Sequence, residues 1–160
     1  MTISAIGQDS HAFDFTDKNK KLILAGIEFS GYPPLIGNSD ADVVFHAVTN
    51  AISGITGINV IGIISDKMCK KGITNSKEYL KRAMEYLFDY EIVHLSISIE
   101  AKIPSISPKI VKMKQSLGDI LQLSPMKIGI TATTGEGLTD CGKGMGIQVL
   151  AIITAEKRKK

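Results

Sequence analysis

The chain has 160 residues, the size of one ordinary domain. Hydrophobic residues make up 44% and charged residues 22%, so we expect a packed core and no extensive disorder. The longest apolar runs, such as residues 60–64, are too short to cross a bilayer. The first residues lack the basic region of a signal peptide. We therefore expect no membrane partner and a single domain over residues 1–155.

Cysteine content and charge limit the compartment and the partners. Cys69 and Cys141 show no metal or redox spacing, which favours a reducing compartment, and we expect a cytoplasmic protein. The net charge of +3 includes a basic tail at residues 156–160. Such a tail can contact nucleic acid, but it is more often a solvated terminus. Because the chain has no Trp and no aromatic residues interleaved with basic ones, we expect no nucleic-acid partner.

Hydrophobic periodicity predicts the elements in chain order. They are a strand at 3–11, a strand at 21–29, a loop at 31–34, a helix at 40–55 capped by Asn38, Ser39 or Asp40, a loop at 67–75, a helix at 76–90, a strand at 94–101, a helix at 108–121, and strands at 127–134 and 144–153. The order β-β-α-α-β-α-β-β predicts an α+β fold, a two-layer sandwich of one mixed sheet with helices on one face.

Asp9 and His11 stand two residues apart in a predicted strand, so their side chains project from the same face. His46 lies on the first predicted helix. One carboxylate oxygen and two imidazole nitrogens make three protein ligands, and a catalytic zinc site has three such ligands with a fourth position open. The simpler alternative is an edge-strand carboxylate paired with a histidine.

The segment from Asn38 to His46 is dense in polar groups where this helix begins. Asn38 and Ser39 can offer hydrogen-bond donors, and the free N–H groups of a helix N-terminus suit a phosphate. Asp42 lies four residues before His46, a spacing at which the carboxylate can orient the imidazole. Helix capping and an ordinary surface pair explain the same residues, so both interpretations stay open.

Two glycine-containing segments follow the later strands. Thr133, Thr134 and Glu136 combine hydroxyls with a hard carboxylate, which suits Mg²⁺ or Mn²⁺ bridging phosphates, although a Gly-rich turn with a solvated Glu is the alternative. In the segment 142–146, glycines alternate with Lys143 and Met145. On a strand, this alternation predicts a face without side chains at a crowded interface or symmetry axis.

Together these segments resemble the 2-C-methyl-D-erythritol 2,4-cyclodiphosphate synthase family of the non-mevalonate isoprenoid pathway. The resemblance covers residues 3–153 in collinear order. Its motifs are Gly7-x-Asp9-x-His11-x-Phe13, Ser39-Asp40-x-Asp42-x-x-x-His46, and Ala132-Thr133-Thr134-x-Glu136 followed by Gly142-Lys143-Gly144-x-Gly146.

The resemblance implies a Zn²⁺ site, or one for another divalent transition metal, at Asp9, His11 and His46. It implies a second cation, Mg²⁺ or Mn²⁺, on Glu136. The candidate catalytic residues are Asn38, Ser39, Thr134 and Glu136. The candidate substrate-binding residues are Asp9, His11, Asn38, Ser39, Thr133, Thr134, Glu136 and Lys143.

Members of this family are homotrimers with active sites between subunits, around a central cavity that binds isoprenoid diphosphates in some members. The resemblance also implies an intramolecular phosphoryl transfer. In 4-diphosphocytidyl-2-C-methyl-D-erythritol 2-phosphate, the 2-phosphate attacks the β-phosphorus, CMP leaves, and the 2,4-cyclodiphosphate forms. Lys143 falls where the family lines its cavity, usually with an arginine.

The chain departs from the family at three points. Asn38 replaces a histidine, and Val60 replaces an aspartate that binds the substrate hydroxyls, for which Asn59 and Asp66 are the nearby substitutes. Near residue 102 the Lys and Pro stand in a different order, so cytidine contacts are not assigned. Asn38 and Val60 favour the alternative of a non-catalytic trimer that binds isoprenoid diphosphates or nucleotides. The metal ligands and Glu136 favour the enzyme.

Overall fold

The computed structural model describes residues 1–158. Its elements in chain order are β1 (Thr2–Ala12), β2 (Ile23–Leu24), β3 (Ile27–Glu28), α1 (Val43–Thr56), α2 (Ile63–Lys70), α3 (Ser76–Glu85), β4 (Tyr90–Glu100), α4 (Ile110–Leu121), β5 (Ile128–Thr133) and β6 (Gly146–Lys157). Among these residues, no helix is long and apolar enough to cross a membrane.

The four long strands form one sheet in the order β1-β6-β4-β5. β6 runs antiparallel to both β1 and β4, whereas β4 and β5 are parallel, so the sheet is mixed. Burial alternates along β6: Ile153 and Ala151 face the helices and are fully buried, and Leu150 and Ile152 on the opposite face are 39% and 46% exposed. The predicted α+β fold with one mixed sheet and helices is therefore confirmed.

Several predicted boundaries differ from the structure. Residues 21–29 do not form one strand: Ala25 and Gly26 adopt positive φ angles and turn the chain into the small hairpin of β2 and β3, which is separate from the main sheet. The predicted loop at 67–75 is wrong over its first half, because α2 extends to Lys70. β6 includes Lys157 of the predicted basic tail, and residues 159–160 lie outside the described part of the chain.

Candidate active site and metal centre

Asp9, His11 and His46 converge between β1 and α1. The Asp9 Oδ2 atom lies 2.9 Å from His11 Nε2 and 2.9 Å from His46 Nδ1. The two imidazole nitrogens are 3.2 Å apart, and one ligating atom of each residue lies within 4.8 Å of the others. This donor set of one carboxylate and two imidazoles suits a divalent transition metal, so the group can hold one.

The orientation of His11 is fixed by the loop that follows β3. The Nδ1–H group of His11 donates to the Ile36 carbonyl at 2.7 Å, because a carbonyl can only accept. The Nε2 lone pair therefore points toward Asp9 and His46. Lys20 holds this loop in place, since its ammonium donates to the carbonyls of Leu35 and Gly37 at 2.8 and 3.1 Å.

Close contact among these three side chains shifts the pKa values of Asp9 and His11. Burial raises the pKa of Asp9, but the hydrogen bonds and charges of His11 and His46 outweigh burial and hold this pKa well below its usual range. Burial lowers the pKa of His11, but the hydrogen bond and charge of Asp9 outweigh it and raise this pKa above 6.5. Asp9 is thus kept as a carboxylate, the form that binds metal.

His46 is 6% exposed and is oriented by a residue that the sequence analysis missed. Its Nε2 atom lies 2.8 Å from the hydroxyl oxygen of Ser76 at the start of α3, and Ser76 in turn contacts the carboxylate of Asp40. From the sequence alone, a serine at the start of a helix is interpreted as a capping residue. Its contact with a histidine 30 positions earlier in the chain has no sequence signal.

Of the interpretations left open for Asp42, helix capping is confirmed and orientation of the His46 imidazole is not. The fully buried Asp42 carboxylate caps α1 by accepting from the backbone N–H groups of Val44 and Phe45. It also accepts from Ala25 and Gly26 in the turn between β2 and β3. The predicted caps Asn38, Ser39 and Asp40 were therefore wrong, and Asp42 occupies N–H groups that were expected to be free for a phosphate.

The metal group opens into a pocket of about 320 Å³. The walls of this pocket include Asn38, Ser39, Ile61, Gly62, Ser65, Asp66, Cys69 and Tyr79. Asn38 is exposed and Ser39 is half-buried beside the metal group. Val60, which stands where the family has an aspartate, is fully buried in the core. Of the two nearby substitutes, Asp66 is the one that lines the pocket.

The other predicted site residues lie in a separate pocket. Thr134, Glu136 and Lys143 line it together with Lys102, and its volume is about 500 Å³. Glu136 has a φ angle of +49°, a left-handed conformation that is strained for a residue other than glycine. Thr133 ends β5, and its hydroxyl oxygen accepts from the Gly135 N–H group at 3.2 Å.

The two pockets lie at opposite edges of one end of the sheet. His11 on β1 pairs with Ile147, and Thr133 on β5 pairs with Glu100, which pairs with Gln148. Three strand spacings of about 4.8 Å separate β1 from β5, or about 14 Å in total. Thr133, three residues before Glu136, is thus separated from the strand of the metal group by the full width of the sheet.

The alternating glycines do not form a strand face. Gly142 and Gly144 lie in a turn before β6, and only Gly146 is in the strand. Gly142 packs against the Gly135 carbonyl, and a Cβ on Gly146 would overlap the His11 carbonyl oxygen. Close backbone approach within the chain explains these glycines, so they give no support for a symmetry axis.

Comparison with known proteins identifies the family. The YgbB family model matches residues 2–156. The 2-C-methyl-D-erythritol 2,4-cyclodiphosphate synthases of Chlamydia muridarum and Chlamydia felis are 44% and 42% identical to this chain over 151 residues. These residues are 93% of this chain and 85% and 86% of the two relatives.

Solved structures show the same fold. The bifunctional IspDF of Campylobacter jejuni has a TM-score of 0.88 at 29% identity over 98% of this chain and 42% of its own. The Plasmodium falciparum IspF in a CDP complex has a TM-score of 0.85 at 24% identity over 99% of this chain and 97% of its own, which shows a shared fold. The chain therefore belongs to the YgbB family, which includes these cyclodiphosphate synthases.

Proposed function

We propose that the protein converts 4-diphosphocytidyl-2-C-methyl-D-erythritol 2-phosphate to 2-C-methyl-D-erythritol 2,4-cyclodiphosphate and releases CMP, a step in isoprenoid precursor biosynthesis. The observation that carries this proposal is the convergence of Asp9, His11 and His46 in an open pocket beside Asn38 and Ser39. Relatives at 42–44% identity over most of the chain carry this activity in their names.

In this proposal the residues of the first pocket position phosphate. Asp9, His11 and His46 would hold Zn²⁺, which would supply Lewis-acid chemistry for a phosphate oxygen. The Asn38 amide and the Ser39 hydroxyl donate hydrogen bonds to the same anionic group. Asn38 is neutral where the family has a histidine, so it contributes a hydrogen bond without a positive charge. The attacking group is the substrate's own phosphate, so no side chain needs to act as nucleophile.

The second pocket supplies the groups that accommodate the diphosphate and the leaving CMP. Glu136 provides a carboxylate ligand for Mg²⁺ or Mn²⁺, and the hydroxyls of Thr133 and Thr134 contact phosphate. Lys102 and Lys143 bring positive charge to the same pocket, which offsets the repulsion between the two reacting anions. The CDP complex of the Plasmodium falciparum protein supports a cytidine nucleotide as part of the substrate.

The separation of the two pockets favours a homotrimer in which neighbouring subunits complete each site. The helix-free face of the sheet supports such an assembly, because Ile6, Leu150 and Ile152 on it are 62%, 39% and 46% exposed. When three such faces meet around an axis, they enclose a cavity, and an isoprenoid diphosphate is the ligand we propose for it.

The decisive experiment is an assay of CMP release from the cytidylyl substrate with Zn²⁺ and either Mg²⁺ or Mn²⁺. His46→Ala should abolish release, whereas Val111→Ala, which changes an 80% exposed residue on α4, should leave it unchanged. The alternative of a non-catalytic trimer predicts nucleotide binding without CMP release by the parent protein. Absence of turnover in a zinc-loaded trimer that binds CMP would therefore favour that alternative.

A further inference from the structure

Ser76 and the half-buried Asp40 form a hydrogen-bonded chain behind His46, on the side away from Asp9. Ser76 is fully buried, and its hydroxyl oxygen lies 2.8 Å from His46 Nε2. The Asp40 carboxylate accepts both the Ser76 hydroxyl and the Ser76 backbone N–H, the latter at 3.1 and 3.2 Å. The Asp40 N–H donates to the Thr74 carbonyl at 2.8 Å, which fixes Asp40 against the start of α3.

The direction of these hydrogen bonds follows from the chemistry of the groups. An ionised carboxylate can only accept, so the single hydroxyl proton of Ser76 is committed to Asp40. The Ser76 oxygen is then left as an acceptor toward His46, whose Nε2 must carry a proton. A neutral imidazole protonated at Nε2 has its lone pair on Nδ1, the atom that lies 2.9 Å from Asp9 Oδ2 and 3.2 Å from His11 Nε2.

We propose that Ser76 and Asp40 are positioning residues that hold His46 in the tautomer and ring orientation that direct its Nδ1 lone pair at the metal. This inference rests on the proposed metal site. The arrangement complements His11, whose Nδ1–H group is held by the Ile36 carbonyl and whose Nε2 faces the site. The two histidines thus present opposite ring nitrogens to one metal, and each is fixed by a different partner. Partners of this kind typically change metal affinity by 10–100-fold.

The inference is tested by zinc affinity, measured in competition with a chromogenic chelator on the intact protein. Ser76→Ala should weaken binding about 10–100-fold. Asp40→Asn should weaken it by a similar factor, because the Asn amide can donate to Ser76 and turn its hydroxyl proton toward His46, which favours the opposite tautomer. The matched control is Ser53→Ala, which removes another buried serine hydroxyl, one that accepts from the Val60 N–H about two turns further along α1, and should leave zinc affinity unchanged.

A double variant separates positioning from a general effect on folding. If Asp40 acts through Ser76, the variant carrying both Ser76→Ala and Asp40→Asn should bind zinc no more weakly than Ser76→Ala alone. In zinc-loaded protein labelled with ¹⁵N, the His46 Nε2–H resonance should exchange slowly with solvent in the parent and rapidly in Ser76→Ala. The His11 Nδ1–H resonance is the internal reference and should be unaffected.

Zinc affinities of Ser76→Ala and Asp40→Asn that remain within about threefold of the parent value would overturn the inference, as would full additivity of the two changes. Asp40→Asn conserves the shape of the side chain and therefore keeps the test decisive if Ser76→Ala does not fold. A parent protein that binds no zinc would overturn the metal site itself and this inference with it. The parent measurement thus distinguishes failure of the proposed function from failure of the positioning chain.

Discussion

Gly7 on β1 lies directly against the backbone of Ala47 on α1, so closely that a Cβ on Gly7 would overlap the Ala47 carbonyl oxygen. Gly7 stands two residues before Asp9 on the same strand face, and Ala47 is the neighbour of His46 in the chain. The distance between the strand and the helix at this crossing therefore determines whether His46 reaches Asp9. A close approach of two backbones, possible only at a glycine, sets the geometry of the metal group.

We expect Gly7→Ala to destabilise the fold and to weaken zinc binding together. Inserting a methyl group into this packed contact should cost about 1–3 kcal/mol, measured by urea unfolding. The helix must also move away from β1, which separates His46 from Asp9. Gly129→Ala is the control, because Gly129 is also a strand glycine but has open space around its Cβ position. Equal effects of the two substitutions would contradict the role of this crossing.

The pKa of His11 gives zinc binding a defined dependence on pH. Zinc requires the neutral imidazole, and the pKa of His11 is raised above 6.5 by Asp9. As pH falls through that raised pKa, protons compete with zinc, so affinity should begin to fall at a pH above 6.5. Isothermal titration calorimetry between pH 6 and pH 8.5 should show this fall and proton release on binding. Affinity that is constant down to pH 6.5 would contradict the prediction.

The buried carboxylate of Asp42 should be a major source of stability, because it joins α1 to the hairpin of β2 and β3. Asp42→Ala leaves four backbone N–H groups without their partner, so we expect a loss of about 3 kcal/mol or more in the free energy of unfolding. Asn75→Ala, which removes the single cap bond of α3, should cost only about 1 kcal/mol. Similar losses in the two variants would show that the link to the hairpin contributes little.

Asp66 is the residue we expect to recognise the substrate hydroxyls in place of the missing family aspartate. It is exposed and lines the metal pocket. Asp66→Asn should lower kcat/KM by up to about tenfold, the effect of one hydrogen bond, and should leave CMP binding unchanged. Asp89→Asn, at the far end of the sheet before β4, is the matched control. An unchanged kcat/KM in Asp66→Asn would remove Asp66 from substrate recognition.

Val60→Asp should not restore the family's hydroxyl contact. Because Val60 is fully buried, the substitution places a carboxylate in the core without a partner. We expect it to destabilise the protein by several kcal/mol, measured by thermal unfolding. A stable Val60→Asp protein with raised kcat/KM would show that this segment rearranges when substrate binds.

The helix-free face of the sheet should be the surface on which subunits meet. Ile152→Lys places a charge in the middle of this face, next to Leu150 on the same strand. We expect it to convert a trimer into monomers, measured by sedimentation velocity at micromolar concentration. Val111→Lys changes an 80% exposed residue on α4 and should leave the trimer intact. A parent protein that sediments as a monomer would refute the assembly.

Much of the fold was predictable because its signals are periodic. The alternation along β4 and β6 and the helical spacing of α1 and α4 predicted these elements to within a few residues. The strand at 21–29 failed because its apolar run conceals the turn at Ala25 and Gly26, whose positive φ angles are a tertiary outcome fixed by hydrogen bonds to Asp42. The local hydrophobic pattern carries no information about hydrogen-bond partners that are distant in the chain.

The candidate site, too, was predictable only in part. Asp9 and His11 were predictable as a same-face pair, and the resemblance linked them to His46. Ser76 was not, because its role depends on the packing of α3 against α1. The glycine segment misled because alternation with period two was taken as a strand, whereas Gly144, with a φ of +91°, belongs to a turn. A short glycine-rich run does not distinguish a strand from a turn.

The placement of the two pockets at opposite edges of the sheet has a genetic consequence. If each site joins the metal group of one subunit to Glu136 of the next, two inactive variants should complement each other. His46→Ala and Glu136→Ala subunits are mixed in equal amounts, unfolded and reassembled. About a quarter of the sites should then be whole, because each site needs its metal group from a Glu136→Ala subunit and its Glu136 from a neighbouring His46→Ala subunit. Two inactive proteins would then regain activity on mixing, because some of the shared sites contain neither substitution.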